Sequence, residues 1–208
     1  AEFCDIFCEE GVYTVDESRD ILSFAKEEYG FKIKLHADEF VDTNGAALAA
    51  ELGAVSADHL MKANEEGIER MVKAGTTGVL LPGTSFFLGS STYAPARKMI
   101  EMGLRVAIGS DYNPGSCMSE FLPIMGTIAC THMKMTPEEI LKGMTINAAY
   151  AIGREKQIGS LEKGKKADML LMNIPSINYF PYHFGVNHVA EVYKNGRRYV
   201  EFLKLKEM

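Results

Sequence analysis

The chain carries no run of basic residues and no positive excess: 22 Lys and Arg stand against 28 Asp and Glu, a formal net charge of -6. It therefore lacks the electrostatic footprint of a general nucleic-acid binder. No apolar stretch approaches the roughly 20 residues that cross a bilayer. The opening residues, AEFCDIFCEE, have neither a basic leader nor a long apolar segment. Neither nucleic acid nor membrane is expected as a partner. Cysteine is scarce, with only Cys4, Cys8, Cys117 and Cys130, which argues against a disulfide framework and for a reducing, cytoplasmic setting. Cys4 and Cys8 have no second Cys or His pair beside them and read as small buried hydrophobes. The segment from Gly83 to Gly89 lacks the Gly-Lys-Ser/Thr ending of a phosphate loop. What is present is globular: 47% hydrophobic and 24% charged over 208 residues, enough for one or two domains with a sizeable core.

Strand-like and helix-like segments alternate along the chain. Phe3–Phe7 is a strand candidate, followed by a helix beginning near Val15-Asp16-Glu17-Ser18 and closed by Gly30. Phe31–Leu35 and Ala54–Ala57 read as strands flanking the alanine-rich segment after Asn44-Gly45. Asn64 suits the N-cap of a helix over Glu65–Ala74. Gly78–Leu81, a helix over Ala94–Met102 and the strand Leu104–Ile108 complete the series. Repeated strand–helix units imply parallel strands with helical crossovers. His36, His59 and the turn Pro82-Gly83 recur at intervals of 23 residues, and Asp111 follows the next strand. Polar residues at the carboxyl ends of several strands favour a (β/α) barrel over an open doubly wound sheet, which gathers its site at one switch point.

The expected fold class is thus α/β: a partial TIM-like (β/α) barrel of about five of the eight strand–helix units, spanning residues 1–156, and a small β region over residues 157–208. A closed barrel needs eight strands, so the five units imply a piece of a longer enzyme or a half-barrel whose open edges associate, for instance as a homodimer. Two further helices are expected, one from the capping sequence Thr136-Pro137-Glu138-Glu139 and one over Thr145–Gly153. Asn195-Gly196 marks a hairpin in the β region. Tyr179, Phe180, Tyr182 and Phe184, with His183 and His188, form an aromatic group suited to packing that region, and His132 falls on a surface-like segment between helices.

His36, in KLHADEF, offers an imidazole with Asp38 and Glu39 beside it. A single histidine at a strand end is commonly a core residue, but His59 and Asp111 occupy the same expected rim. Imidazole and carboxylate donors together suit a divalent transition metal such as zinc or iron. Asp111, before Asn113-Pro114-Gly115, reads equally as the organiser of a turn. Asn113 and Gly115 offer an amide and a backbone N–H suited to a carboxylate, and Glu39 also reads as a solvated loop charge.

Taken together, HADEF, SADHL, LLPGTSFFLG, SDYNPGS, TINAAYAIG, GSLEKGKKAD and YHFGVNHV resemble the imidazolonepropionases of the amidohydrolase superfamily, from about Asp5 to Arg197. The resemblance implies hydrolysis of 4-imidazolone-5-propanoate to N-formimidoyl-L-glutamate, a step of histidine degradation, with one zinc or iron ion. It implies that His36 and Asp111 are metal ligands, and that Glu39, His59 and Asp111 are the acid–base groups. Glu39, Asn113, Gly115 and Ser116 would contact the substrate, the last three at its propanoate end. It also implies a distorted eight-stranded barrel with a small β-sandwich, these five strands being the fourth to eighth. The family's first-strand His-x-His pair occurs nowhere in the 208 residues. The chain is therefore similar to the carboxyl-terminal half, expected to bind metal weakly and to be inactive alone. Two alternatives stand beside this: another amidohydrolase, such as a heterocycle aminohydrolase, and a non-catalytic half-barrel serving as an assembly partner.

Overall fold

The structure, a computed structural model, describes residues 1–201. The chain runs β1 (Phe3–Cys8), α1 (Val15–Tyr29), β2 (Lys32–Ala37), α2 (Gly45–Glu51), β3 (Ser56–His59), α3 (Glu65–Ala74), β4 (Thr77–Leu80) and α4 (Pro82–Phe87). It continues with α5 (Ala96–Glu101), β5 (Val106–Ile108), α6 (Leu122–Met133), α7 (Pro137–Met144) and α8 (Ile146–Ala151). The last elements are β6 (Met169–Met172), α9 (Tyr179–Tyr182), β7 (Val189–Lys194) and β8 (Arg197–Glu201). Among the described residues, no helix is long and apolar enough to cross a membrane.

The first five strands form one parallel sheet in the order β1-β2-β3-β4-β5, with every strand beside its sequence neighbour. A doubly wound sheet reverses direction at a switch point; this one never does. The local signals explain the crossovers. Thr14 and Glu17 cap each other at the start of α1, Asn64 accepts from the Gly67 N–H at the start of α3, and Gly30 and Gly75 end these helices in the left-handed conformation.

Alternation along the strands gives the sheet two different faces. Ile6, Cys8, Ile33, Leu35, Ala37, Leu80, Val106 and Ile108 turn toward the helices and make the core with Leu22, Ile68, Met71 and Met99. The register sets Asp5 opposite Lys34, Phe7 opposite His36, and His36 opposite Asp58, so the other face is largely polar. Functional groups can therefore collect on that second face without disturbing the core.

Several sequence expectations shift here. Pro82-Gly83 opens the short helix α4 instead of making a turn, because Pro fits the first helical position. A helix not expected from sequence, α6, precedes the two that were, and His132 sits in its last turn, stacked on Tyr93 at 4.5 Å, not between helices. His36 and His59 lie within the last residues of β2 and β3 instead of just beyond them.

The second sheet is three-stranded and antiparallel, in the order β6-β7-β8, with the expected turn at Asn195-Gly196 between β7 and β8. Residues 202–208 of the expected β region lie outside the described residues. Helix α9 packs on α6: the Thr127 hydroxyl donates to the Pro181 carbonyl at 3.1 Å, and Phe180 joins the core. Packing is thus the role of at least part of the aromatic group. All four cysteines are free, and Cys8 is fully buried.

Candidate functional site

The carboxyl ends of β2 and β3 bring His36, Glu39 and His59 together. The His36 and His59 rings lie 5.4 Å apart, and His59 Nδ1 is 3.5 Å from Glu39 Oε1. His59 and Glu39 are buried, at 3% and 5% exposure, whereas His36 is half-buried. Among the described residues, His59 Nδ1 has no hydrogen-bond partner although it is enclosed. Asp111, beyond β5, is close enough for its charge to act on His36, Glu39 and His59. All four expected catalytic or metal-binding side chains therefore share one electrostatic neighbourhood at one end of the sheet.

Asp38 (φ 53°), His59 (φ 74°), Leu60 (φ 59°) and Asp111 (φ 53°) at this end have the left-handed backbone that costs non-glycine residues energy. Such strain persists where surrounding contacts enforce it, and it gathers at functional sites. At His59 it interrupts the strand alternation that would otherwise give His59 the same face as Ala57.

The enforcing contacts are visible. Asp38, fully buried, accepts from the Thr43 N–H at 2.9 Å, the Thr43 hydroxyl at 3.0 Å, and the Gly45 and Ala46 N–H groups at 3.0 and 2.9 Å. It thereby caps α2, whose own N-cap residue Asn44 makes no side-chain cap. Glu9, just past β1 and 3% exposed, accepts from the backbone N–H groups of Glu39, Phe40 and Val41 at 2.9, 3.0 and 3.2 Å. These two carboxylates hold the loop that carries Glu39. Sequence reasoning missed Glu9, although the strand-end rule that selected His36 applies equally to it.

Asp111 is held from two sides. Its Oδ2 accepts from the Thr84 hydroxyl at 2.5 Å and from the Ser116 hydroxyl at 3.4 Å. Thr84 was also missed, hidden in what reads as a turn. Asn113 Oδ1 accepts from the Gly115 and Ser116 N–H groups, both at 2.9 Å, and its Nδ2 donates to the Asp111 carbonyl at 2.9 Å and the Ser116 hydroxyl at 2.8 Å. Asn113, Gly115 and Ser116 are thus brought together with Asp111, and Asn113 spends its hydrogen bonds on shaping the turn.

Burial sets the proton affinities. Desolvation, with the Asp111 charge second, pushes the Glu39 carboxyl up to about 7. Desolvation, with His36 second, pushes the His59 imidazole down to about 4. His36 moves upward, first through its hydrogen bond to Asp5 at 3.0 Å. Near neutrality the site therefore holds a neutral imidazole against a carboxyl poised to gain or lose its proton, an arrangement suited to proton transfer.

The chain matches the Amidohydrolase family over residues 9–198. Imidazolonepropionase of Alkaliphilus oremlandii (strain OhILAs) is 55% identical over 201 residues, which is 97% of this chain and 47% of that protein. Imidazolonepropionase of Fusobacterium nucleatum subsp. nucleatum is 56% identical over 197 residues, 95% of this chain and 47% of that protein. The chain spans about half the length of the curated relatives it matches. Among solved structures, an adenosine deaminase from Xanthomonas campestris with bound zinc superposes with a TM-score of 0.77 at 19% identity, covering 95% of this chain and 51% of that one. A 5-methylcytosine deaminase from Klebsiella pneumoniae gives 0.76 at 15% identity, covering 93% and 53%. At these identities the structural likeness concerns the fold alone.

Proposed function

Because the chain belongs to the amidohydrolase family, we propose that it forms the carboxyl-terminal half of a metal-dependent cyclic amide hydrolase acting on 4-imidazolone-5-propanoate. The observation that carries this is the meeting of His36, Glu39, His59 and Asp111 at the carboxyl end of one parallel sheet. The likeness to imidazolonepropionases over nearly the whole chain supports this substrate among amidohydrolase reactions. The product is N-formimidoyl-L-glutamate, as in histidine degradation, formed when water cleaves the ring's lactam C–N bond.

In this proposal β1 to β5 are strands four to eight of an eight-stranded barrel. Their unreversed order supports it. Residues 1–156 belong to that barrel, and β6, β7 and β8 within 157–208 form part of a small β-sandwich. Among the described residues β1 and β5 are the outer strands, and their edges are where the rest of the barrel, or another copy, would pair.

The donors fit a divalent zinc or iron ion. Among the described residues, no protein group bonds His36 Nε2, and only Oδ2 of Asp111 is engaged, leaving one imidazole nitrogen and one carboxylate oxygen. Three or four protein ligands are usual for zinc, so two donors alone bind weakly. When bound, the ion supplies Lewis-acid polarisation of the lactam carbonyl. Glu39, with its affinity near neutrality, accepts the proton of the attacking water and returns it to the departing ring nitrogen. Buried and neutral, His59 orients the carbonyl or the water by hydrogen bonding. Thr84 and Ser116 hold Asp111 in place. The turn of Asn113, Gly115 and Ser116 lines the propanoate end, with Asn113 fixing its shape.

The test joins this chain to the amino-terminal half of the Alkaliphilus relative and follows loss of 4-imidazolone-5-propanoate, with guanine and cytosine as competing substrates. Turnover of the imidazolone alone is expected. Ammonia release from guanine or cytosine, with the imidazolone untouched, would replace this function with a heterocycle aminohydrolase.

A further inference from the structure

On the polar face of the sheet, below the rim, Asp5, His36 and Asp58 offer ligand atoms that all lie within 4.8 Å of one another. Two carboxylates thus compete for one imidazole, and Lys34 decides between them. Its ammonium lies 3.3 Å from Asp58 Oδ1 and donates to the Ser56 hydroxyl, which in turn donates to the same Asp58 oxygen at 3.2 Å. Asp58 is buried and already paired with this built-in cation. Asp5 is more exposed and, among the described residues, forms no ion pair with a lysine, and its Oδ2 lies 3.0 Å from His36 Nδ1. The Phe7 ring packs against the imidazole edge-on, with centroids 5.9 Å apart.

We propose that Asp5 is a positioning residue: its carboxylate accepts the Nδ1 proton of His36 and fixes the tautomer that leaves Nε2 as the lone-pair nitrogen. A free imidazole in water exchanges its proton between the two nitrogens, so a ligand histidine without such a partner spends part of its time as the wrong tautomer. A carboxylate on the distal nitrogen removes that loss and raises the basicity of the ligating one. Lys34 makes the choice single-valued by withdrawing Asp58 from the competition. The same ammonium argues against the three residues themselves being a cation site. The proposal rests on His36 serving as a metal donor, and its test separates the two.

The test uses the 208-residue chain labelled with 15N-histidine, at pH 9, and reads the ring-nitrogen shifts of His36 with and without Zn2+. The wild type should hold its proton on Nδ1 and take zinc on Nε2. Asp5→Ala should release the tautomer and weaken Zn2+ binding by about 10–100-fold. Asp5→Asn, which keeps the side chain's size but can offer an amide N–H to Nδ1, should drive the proton to Nε2. It serves in place of the alanine variant if that variant does not fold. A wild-type proton on Nε2, zinc on Nδ1, or variants with unchanged tautomer would overturn the proposal. If the tautomer shifts as expected while wild type takes up no zinc, the hold of Asp5 on the ring stands and the metal role of His36 fails.

Discussion

His59 Nδ1 and Glu39 Oε1 face each other at 3.5 Å inside the protein, each nearly stripped of solvent. Their proton affinities cross: the acid is raised to about 7 and the base lowered to about 4. Neither is charged at no cost, so each contributes an opposite pH dependence to stability. Glu39 binds its proton more tightly folded than unfolded, so stability falls as pH rises from about 4.5 through 7. His59 binds its proton less tightly folded, so stability falls as pH drops from 6.5 through about 4. Urea unfolding of the metal-free chain should find Glu39→Gln more stable than wild type at pH 8, by about 1–3 kcal/mol. The gain should vanish at pH 4. An equal difference at both pH values would mean that Glu39 is not the buried acid described here.

Asp38 links the strand carrying His36 to the start of α2. Removing a buried carboxylate that accepts four hydrogen bonds leaves the Thr43, Gly45 and Ala46 N–H groups without their acceptor and the Thr43 hydroxyl to donate to the Cys8 carbonyl at 3.5 Å. Asp38→Ala should cost about 2–4 kcal/mol, measured by urea or thermal unfolding. A loss below 0.5 kcal/mol, the range of ordinary surface changes, would contradict its capping role.

Glu9 acts locally, on the backbone of Glu39, Phe40 and Val41. Glu9→Ala should raise hydrogen exchange at those three amides well above wild type, while the core amides of β2 and β3 stay protected. Uniform loss of protection would show that Glu9 supports the whole domain instead of this loop.

In the completed enzyme, Asp111→Asn should lower metal affinity and turnover by about 10–100-fold, since it keeps the shape but removes the charge of a metal donor. Thr84→Val, which deletes only the 2.5 Å hydrogen bond to Oδ2, should have a smaller effect in the same direction. A wild-type rate for Asp111→Asn would reduce Asp111 to a turn former.

Much of this architecture was legible in the sequence because its signals are local. The capping pairs Thr14–Glu17 and Thr136–Glu139, the terminal glycines Gly30 and Gly75, and the hairpin at Asn195-Gly196 each depend on a few adjacent residues. Helix α6 escaped because LPIMGTIACTHM is apolar nearly all round, so its sequence does not mark out the face that Met125, Ala129 and Met133 bury. Pro123 in its first turn was the available signal. The rim residues His36, Glu39, His59 and Asp111 were legible because alternating strands and helices deliver strand ends to one side. Their supports were not. Asp5, Glu9 and Thr84 matter through contacts with residues 27 to 32 positions away, and no local pattern encodes such a distance. The left-handed backbone at His59 was equally hidden, since it follows from the closure of the site and not from a glycine.

The most direct measurement is the rate of 4-imidazolone-5-propanoate hydrolysis by the purified 208-residue chain, alone and joined to the amino-terminal half of a matched relative. No measurable hydrolysis by the chain alone, and zinc- or iron-dependent hydrolysis once joined, is the expected result. Full hydrolysis by the unaccompanied chain, or none by a correctly folded, metal-loaded joined protein, would contradict the assignment of His36, Glu39, His59 and Asp111 to half of a shared active site.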